Sequence, residues 1–350
     1  MNRLISNLNI RRQQPLPTPI ELQNELSLFP SEEQNIIESR DEVTTILDHT
    51  SSKFIIITGP CSIHCPEEAL IYAERLKRLS LEVSDKIMLI MRVYFEKPRT
   101  TVGWKGLIYD PNLDGSEDIA KGIYITRKLL RDIAEMGLPT ATEILDPILT
   151  PFVSDLITWA AIGARTTESQ THRQLVSGLS MPVGFKNTTD GNVKTACEAI
   201  LSASHPHSFL GIRGDGRAEI YRTTGNRSCH IVLRGGDSGP NYTSDSIQEA
   251  CQMMRDKDLV PNIIVDCSHG NSGKNYLKQP SVLMNLIKQR VNGEKSIIGI
   301  MLESNLLEGS QQLTTKENLE QGISITDSCL SWDMTEALIR DAYKSLGGVS

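Results

Sequence analysis

No stretch of this 350-residue chain approaches the ~20 consecutive apolar residues of a membrane-spanning helix. The opening Met1-Asn-Arg-Leu-Ile5 lacks the apolar segment of a secretory signal. Seven cysteines, an odd number, show neither a paired CxxC spacing nor a disulfide-framework pattern. A reducing cytoplasm is therefore the expected location, with no membrane partner. An excess of positive charge is missing too: the net charge is −7, which argues against a general nucleic-acid binder. What the chain does have is 39% hydrophobic and 23% charged residues, enough for a soluble globular protein with an ample core. The length suits a β/α barrel with additions.

Against this acidic background, one stretch concentrates positive charge. Ile87-Met-Leu-Ile-Met91 is a short apolar run, the pattern of a strand buried on both faces. It runs into Arg92, Lys97, Arg99 and Lys105, opposed only by Glu96, with Thr100 and Thr101 beside them. Pro98 and Gly103 interrupt regular structure, so these groups sit on a shaped loop. Guanidinium forks, an ammonium and hydroxyls on such a loop suit phosphate or carboxylate recognition.

The rest of the chain repeats that theme. Residues 1–53 read as an N-terminal extension, with a capping box at Thr18-Pro-Ile-Glu21 and a second cap at Ser31. From Phe54 onward, strand-like runs alternate with helical ones: 54–58, 87–94, 139–145, 157–163, 182–185, 230–233, 262–265 and 297–302. Helices are expected from Pro66 to about Leu79, after a cap at Ser116, from Thr150-Pro151, and after a cap at Asp333. Eight strands separated by helices predict a (β/α)8 barrel over 54–350. At or just beyond the strand ends stand Cys61, Arg92 with Lys97, Glu143, Arg165, Lys186, Arg234, His269 and Glu303. That end is the active-site face of a β/α barrel. Residues 207–222 read instead as a β-hairpin with a Gly-rich turn, an insertion on the barrel.

Cys61, His269, Glu303 and Asp327 form a candidate metal set, Asp327 following the short run Ile323-Ser-Ile-Thr326. Thiolate, imidazole and carboxylate together suit Mn2+, Fe2+, Co2+ or Zn2+ better than Ca2+ or Mg2+. His64 and Cys65 compete by residue type but lie at a helix entry, where a structural role is expected.

Gly59-Pro-Cys-Ser-Ile-His64, the 92–106 loop, Gly163-Ala-Arg-Thr-Thr-Glu-Ser-Gln170 and Leu233-Arg-Gly-Gly236 resemble the type I 3-deoxy-D-arabino-heptulosonate 7-phosphate (DAHP) synthases over nearly the whole chain. The resemblance implies condensation of phosphoenolpyruvate with erythrose 4-phosphate, the first step of the shikimate pathway. It assigns phosphoenolpyruvate to Arg92, Lys97, Ala164, Arg165, Lys186 and Arg234. Erythrose 4-phosphate falls to the Lys97–Thr100 element, with Arg99 and Thr100 toward its phosphate. Lys97, Glu143 and His269 are the implied catalytic residues, either Glu143 or a metal-held water handling the proton of the water that adds at C2. The metal set matches the family's ligands, with Mn2+ favoured. Thr188 departs from the family pattern, which has Gly there, and puts the local loop shape in question.

The resemblance also implies feedback inhibition by an aromatic amino acid, and a homodimer or homotetramer, with the arm 1–53 and the hairpin serving both. Leu145-Asp-Pro147, Gly178-Leu-Ser-Met181 and Ser331-Trp-Asp-Met334 look most like the tyrosine-sensitive branch. An effector pocket is expected between Phe209, Gly211 and Tyr221 of the hairpin and Pro147, Leu179 and Ser180. Two alternatives stand beside this reading: 3-deoxy-D-manno-octulosonate 8-phosphate synthase, and a non-catalytic metal or amino-acid sensor on the same barrel.

Overall fold

The computed structural model describes residues 6–347; Met1–Ile5, and with them the start of the expected extension, lie outside the described residues. Ten strands are present: β1 Phe54–Gly59, β2 Ile87–Arg92, β3 Thr140–Glu143, β4 Trp159–Ile162, β5 Val183–Lys186, β6 Ser208–Ile212, β7 Ala218–Arg222, β8 Cys229–Leu233, β9 Ile263–Asp266 and β10 Ile297–Glu303. Eight of them close into a parallel barrel in the order β1-β10-β9-β8-β5-β4-β3-β2. The remaining pair, β6 and β7, forms an antiparallel hairpin. Around them run α1 Pro19–Glu25, α2 Pro30–Leu47, α3 Pro66–Val83, α4 Ile119–Glu135, α5 Thr150–Val153, α6 Gln170–Val176, α7 Lys194–Ala203, α8 Ser244–Arg255, α9 His269–Ser272, α10 Gln279–Val291 and α11 Trp332–Ser345. The barrel strands are buried on both faces because helices cover the outside while side chains fill the inside, hence their unbroken apolar runs.

Several boundaries differ from expectation for local reasons. α2 starts at Pro30 rather than after Ser31; Pro suits a first turn, and Glu32 accepts the Phe29 N–H at 2.8 Å in place of a hydroxyl cap. Asp118, not Ser116, caps α4, accepting from the Lys121 N–H at 3.2 Å. Ser331 caps α11 through the Met334 N–H at 3.3 Å, which leaves Asp333 in the first turn. In each case adjacent Ser, Asp and Glu compete, and packing selects one. α3 also runs on to Val83, past Leu79, because Val83 is buried in the core.

Helix α2 is part of the core rather than an appendage. Val43, Ile46 and Leu47 join the inward-facing Ile55, Ile57, Ile90 and Trp159 in one buried cluster. Leu47 O, a terminal carbonyl without a helical partner, accepts from Asn262 Nδ2 at 2.9 Å. The helix thereby plugs the barrel's N-terminal end, opposite the strand ends that carry the polar groups.

Candidate active site

A cavity of about 540 Å³ opens at the C-terminal ends of the strands, lined among others by Arg92, Lys97, Arg99, Thr100, Glu143, Ala164, Arg165, Lys186, Arg234, His269 and Asp327. Every substrate residue expected from sequence reaches this one space. Its cations nevertheless fall into two groups.

Arg92, Lys97 and Lys186 are tied to the protein. Arg92, at 1% exposure, donates to Pro60 O at 3.0 Å, to Cys61 O at 3.3 Å and to Glu303 Oε1 at 2.9 Å. Its guanidinium carbon also lies 3.5 Å from the Tyr94 ring centroid. Lys97 Nζ is 3.1 Å from Cys61 Sγ and 3.2 Å from Cys61 O. Lys186 Nζ donates to Asp266 Oδ2 at 3.1 Å. Burial opposes the charge on Lys97 and Lys186, but Cys61 and Glu303 beside the first, and Tyr94 and Asp266 beside the second, hold both ammoniums protonated.

Arg165 and Arg234 make no side-chain ion pair or hydrogen bond among the described residues. Arg99 spends one nitrogen on Trp104 O at 2.7 Å and turns the rest of its fork to the cavity. Two guanidiniums without protein partners in one cavity leave their forks available to an anionic ligand.

The metal set gathers at the same mouth. Cys61, Glu303 and Asp327 each offer a donor atom, all within 4.8 Å of one another. His269 Nε2 lies 3.9 Å from Glu303 Oε1. On the other side of its ring, Nδ1 stands 3.0 Å from Asp266 Oδ2, in ion-pair contact but without hydrogen-bond alignment. Asp266 thus stands behind both His269 and Lys186, in the place of a carboxylate that orients a ligating histidine. Burial opposes its charge, yet His269 and Lys186 hold its carboxyl well below the usual range. Glu303 is fully buried; His269, Arg92 and Lys97 outweigh that burial and bring its carboxyl down to about 2. Burial and the Glu303 charge push the Cys61 thiol up to about 11. A soft sulfur and two carboxylates within 4.8 Å of one another, with the His269 imidazole beside Glu303, make a donor set that fits a divalent transition ion.

Glu143 closes the floor at 8% exposure, with no side-chain hydrogen bond among the described residues. Its carboxylate lies across Gly163, where a Cβ would come within 2.3 Å of Oε1, so a larger residue there would displace the carboxylate. Thr188 keeps its loop closed: its hydroxyl pairs with Asp190 and accepts the Asn192 N–H at 3.2 Å. Its φ is not positive, so the conformation here does not require glycine. Asp266, Thr189, Asp237, Lys274 and Thr326 also border the site but escaped the sequence reading. Only Asp266 left a signal, its spacing of three residues from His269.

A second cavity of about 640 Å³ lies between hairpin and barrel and includes Pro147, Leu179, Ser180, Phe209, Gly211 and Tyr221 in its lining. Phe209 stacks on Tyr221 at 5.6 Å, and Tyr221 lies over Gly211, where a Cβ would be 2.6 Å from the ring. Helix α1 closes one side, with Gln23 Nε2 donating to Pro151 O at 3.1 Å and Ile20 N to Gly214 O at 2.9 Å.

The model of the DAHP synthetase I family matches residues 29–340. The chain belongs to this family. It is 48% identical over 345 residues to the tyrosine-sensitive phospho-2-dehydro-3-deoxyheptonate aldolase of Escherichia coli, covering 98% of this chain and 97% of that one. The phenylalanine-sensitive enzyme of Escherichia coli is 47% identical over 343 residues, covering 97% of each chain. A solved structure of the enzyme from Francisella tularensis superposes with a TM-score of 0.95 at 42% identity, covering 97% of this chain and 99% of that one. The protein is a DAHP synthase on a (β/α)8 barrel, which sets aside both the octulosonate enzyme and the non-catalytic sensor. No helix among the described residues is long and apolar enough to cross a membrane.

Proposed function

We propose that the cavity at the barrel mouth binds phosphoenolpyruvate through Arg165, Arg234 and Lys186 and erythrose 4-phosphate through Arg99 and Thr100. The observation carrying this reading is the pair of unpaired guanidiniums facing the clustered donors Cys61, Glu303 and Asp327. Planar forks match the phosphate and carboxylate of phosphoenolpyruvate, and the backbone at Ala164 borders the same space. Arg92 contributes as the fixed wall that keeps Glu303 ionised. Cys61, His269, Glu303 and Asp327 would hold a divalent ion, Mn2+ by preference and Fe2+, Co2+ or Zn2+ on the same donors, which when bound supplies Lewis-acid polarisation of the acceptor aldehyde.

The chain's own groups then manage charge and protons. C3 of the enol forms a bond to the aldehyde carbon, whose oxygen gains charge; Lys97, held protonated beside Cys61, is placed to donate to it. Water adds at C2, and Glu143, free of other partners, takes its proton. C2=O then forms as the C2 hydroxyl proton passes to the departing phosphate, which leaves with its bridging oxygen by C–O cleavage, still held by the arginine forks. Arg165→Lys and Arg234→Lys test the assignment: retained charge with lost forks raises KM for phosphoenolpyruvate, and unchanged kinetics in both variants overturns it.

The second cavity is proposed as the site of an aromatic amino-acid effector, tyrosine favoured. Support comes from its stacked aromatic pair and from relatives that are described as tyrosine- and phenylalanine-sensitive. Leu210 and Ile220 pair across the hairpin's other face at 79% and 63% exposure, an apolar patch suited to a second copy of the chain in a dimer or tetramer. Residues 1–53 and the hairpin 207–222 are proposed to serve regulation and assembly. Seven free cysteines suit a reducing cytoplasm.

A further inference from the structure

The loop that carries Lys97 is joined to the neighbouring part of the barrel mouth by one buried carboxyl. Glu96 is 4% exposed. Its Oε2 accepts the Leu145 N–H at 3.4 Å, and its Oε1 accepts the Asp146 N–H at 3.3 Å. Tyr109 Oη stands 3.5 Å from Glu96 Oε1 and donates to Asp146 Oδ2 at 3.1 Å. Leu145 O is held in turn by His172 Nε2 of α6 at 2.8 Å. Glu96 therefore spans from the loop after β2 to the loop after β3, while the next residue, Lys97, reaches the other way to Cys61.

We infer that Glu96 is a positioning residue for Lys97: its carboxyl bolts the two loops together and so holds the Lys97 ammonium against Cys61. Val93 and Tyr94 are anchored by the Val93 N–H to Ala141 O bond at 2.8 Å, the Thr142 Oγ1 to Val93 O bond at 3.0 Å and the Ile63 N–H to Tyr94 O bond at 2.8 Å, but beyond Phe95 the loop's own backbone ties do not reach β3. The Lys97 N–H to Lys105 O bond at 2.8 Å and the Arg99 bond to Trp104 O are internal to it. The acidic side chain is well chosen, because two backbone N–H groups converge on its two oxygens.

The bolt responds to pH through its surroundings. Asp146 and Glu143 face Glu96 from β3 and its loop, and Tyr109 faces it from the segment after Gly106, with Lys105 6.0 Å from the Tyr109 ring. His172, on α6, meets the assembly only through Leu145 O. Burial and the charge of Asp146 push the Glu96 carboxyl up to about 8. Below that pH the group is neutral. Above it, the carboxylate is desolvated and opposed by Asp146 and Glu143, which outweighs the favour of the Leu145 and Asp146 N–H groups and loosens the bolt.

The test measures kcat and KM for phosphoenolpyruvate in the metal-loaded full chain, from about pH 6 to about pH 9.5. Wild type is expected to lose turnover on the alkaline side near pH 8. Glu96→Gln removes the ionisation but keeps only one acceptor oxygen for the two N–H groups, so it should retain part of the activity at neutral pH and lack that limb. Glu96→Ala should lower kcat by roughly tenfold or more, as expected for a displaced catalytic group, and its further effect in a Lys97→Ala background should shrink to within about twofold. An alkaline limb that persists in Glu96→Gln, or is absent from both proteins, overturns the inference. So does a Glu96→Ala loss of equal size with and without Lys97. If Glu96→Ala does not fold, the Glu96→Gln profile decides alone.

Discussion

Arg92 donates to Glu303 across 2.9 Å, with both side chains shut off from solvent. This pair separates two kinds of cation at one cavity. Arg92 is paired within the protein, whereas the Arg165 and Arg234 side chains have no partner among the described residues.

The first prediction follows from that division. Arg92→Met should cost roughly 3 kcal/mol of stability, because removing one partner of a buried pair leaves Glu303 with only His269, Lys97 and Ser268 to offset its charge. Arg165→Lys and Arg234→Lys should leave the melting temperature nearly unchanged and raise KM for phosphoenolpyruvate by roughly tenfold or more. Thermal unfolding beside steady-state kinetics reads both effects. A stable Arg92→Met protein would show the pair to be dispensable.

Metal removal is the second. Exhaustive chelation should abolish turnover, and Mn2+ should restore it in proportion to metal bound, as counted by elemental analysis. Asp327→Asn should weaken that binding more than it disturbs the fold, since Asp327 is an exposed member of the donor set. Full activity in metal-free protein refutes the assignment.

Third, the second cavity should control inhibition. Tyrosine is expected to inhibit the intact enzyme, and Ser180→Phe, which fills the cavity, to relieve that inhibition. Turnover with tyrosine, phenylalanine and tryptophan in both proteins reads this out. Indifference of the intact enzyme to all three removes the regulatory reading; full inhibition of Ser180→Phe moves the pocket elsewhere.

A fourth concerns acid. His230 is fully buried; its Nε2 accepts from Trp159 Nε1 at 3.0 Å, and its Nδ1 lies 3.3 Å from Ser228 O. Burial lowers its pKa to about 4, against 6.5 for an ordinary histidine. The folded state therefore refuses a proton that the unfolded chain takes. The stability contribution is present above pH 6.5 and is lost as pH falls toward about 4, on the order of 3 kcal/mol in all. Denaturant titrations across that window should show a shallower slope in His230→Gln than in wild type. Equal slopes would mean that His230 does not carry the effect.

The alternation of apolar runs made the barrel legible, since a strand buried on both faces and a helix buried on one leave different patterns. The strand-end groups were legible as a set for the same reason. Partnership was not. Nothing in the text around residue 92 separates an arginine bound to Glu303 from the free Arg165, because that difference depends on a strand 211 residues away. Asp266 and Glu96 were likewise hidden, one behind His269 and the other inside a basic loop, since their roles arise from loops brought together only by barrel closure. Val43, Ile46 and Leu47 carried a helical spacing, but what they cover, the open end of the barrel, exists only once it closes.

The most direct measurement follows phosphoenolpyruvate loss and phosphate release in the metal-loaded enzyme with erythrose 4-phosphate or arabinose 5-phosphate as acceptor, in wild type and in Arg234→Lys. The account predicts turnover with erythrose 4-phosphate, little with arabinose 5-phosphate, and a raised KM for phosphoenolpyruvate in the variant. Turnover with the five-carbon sugar alone, or wild-type kinetics in Arg234→Lys, would contradict it.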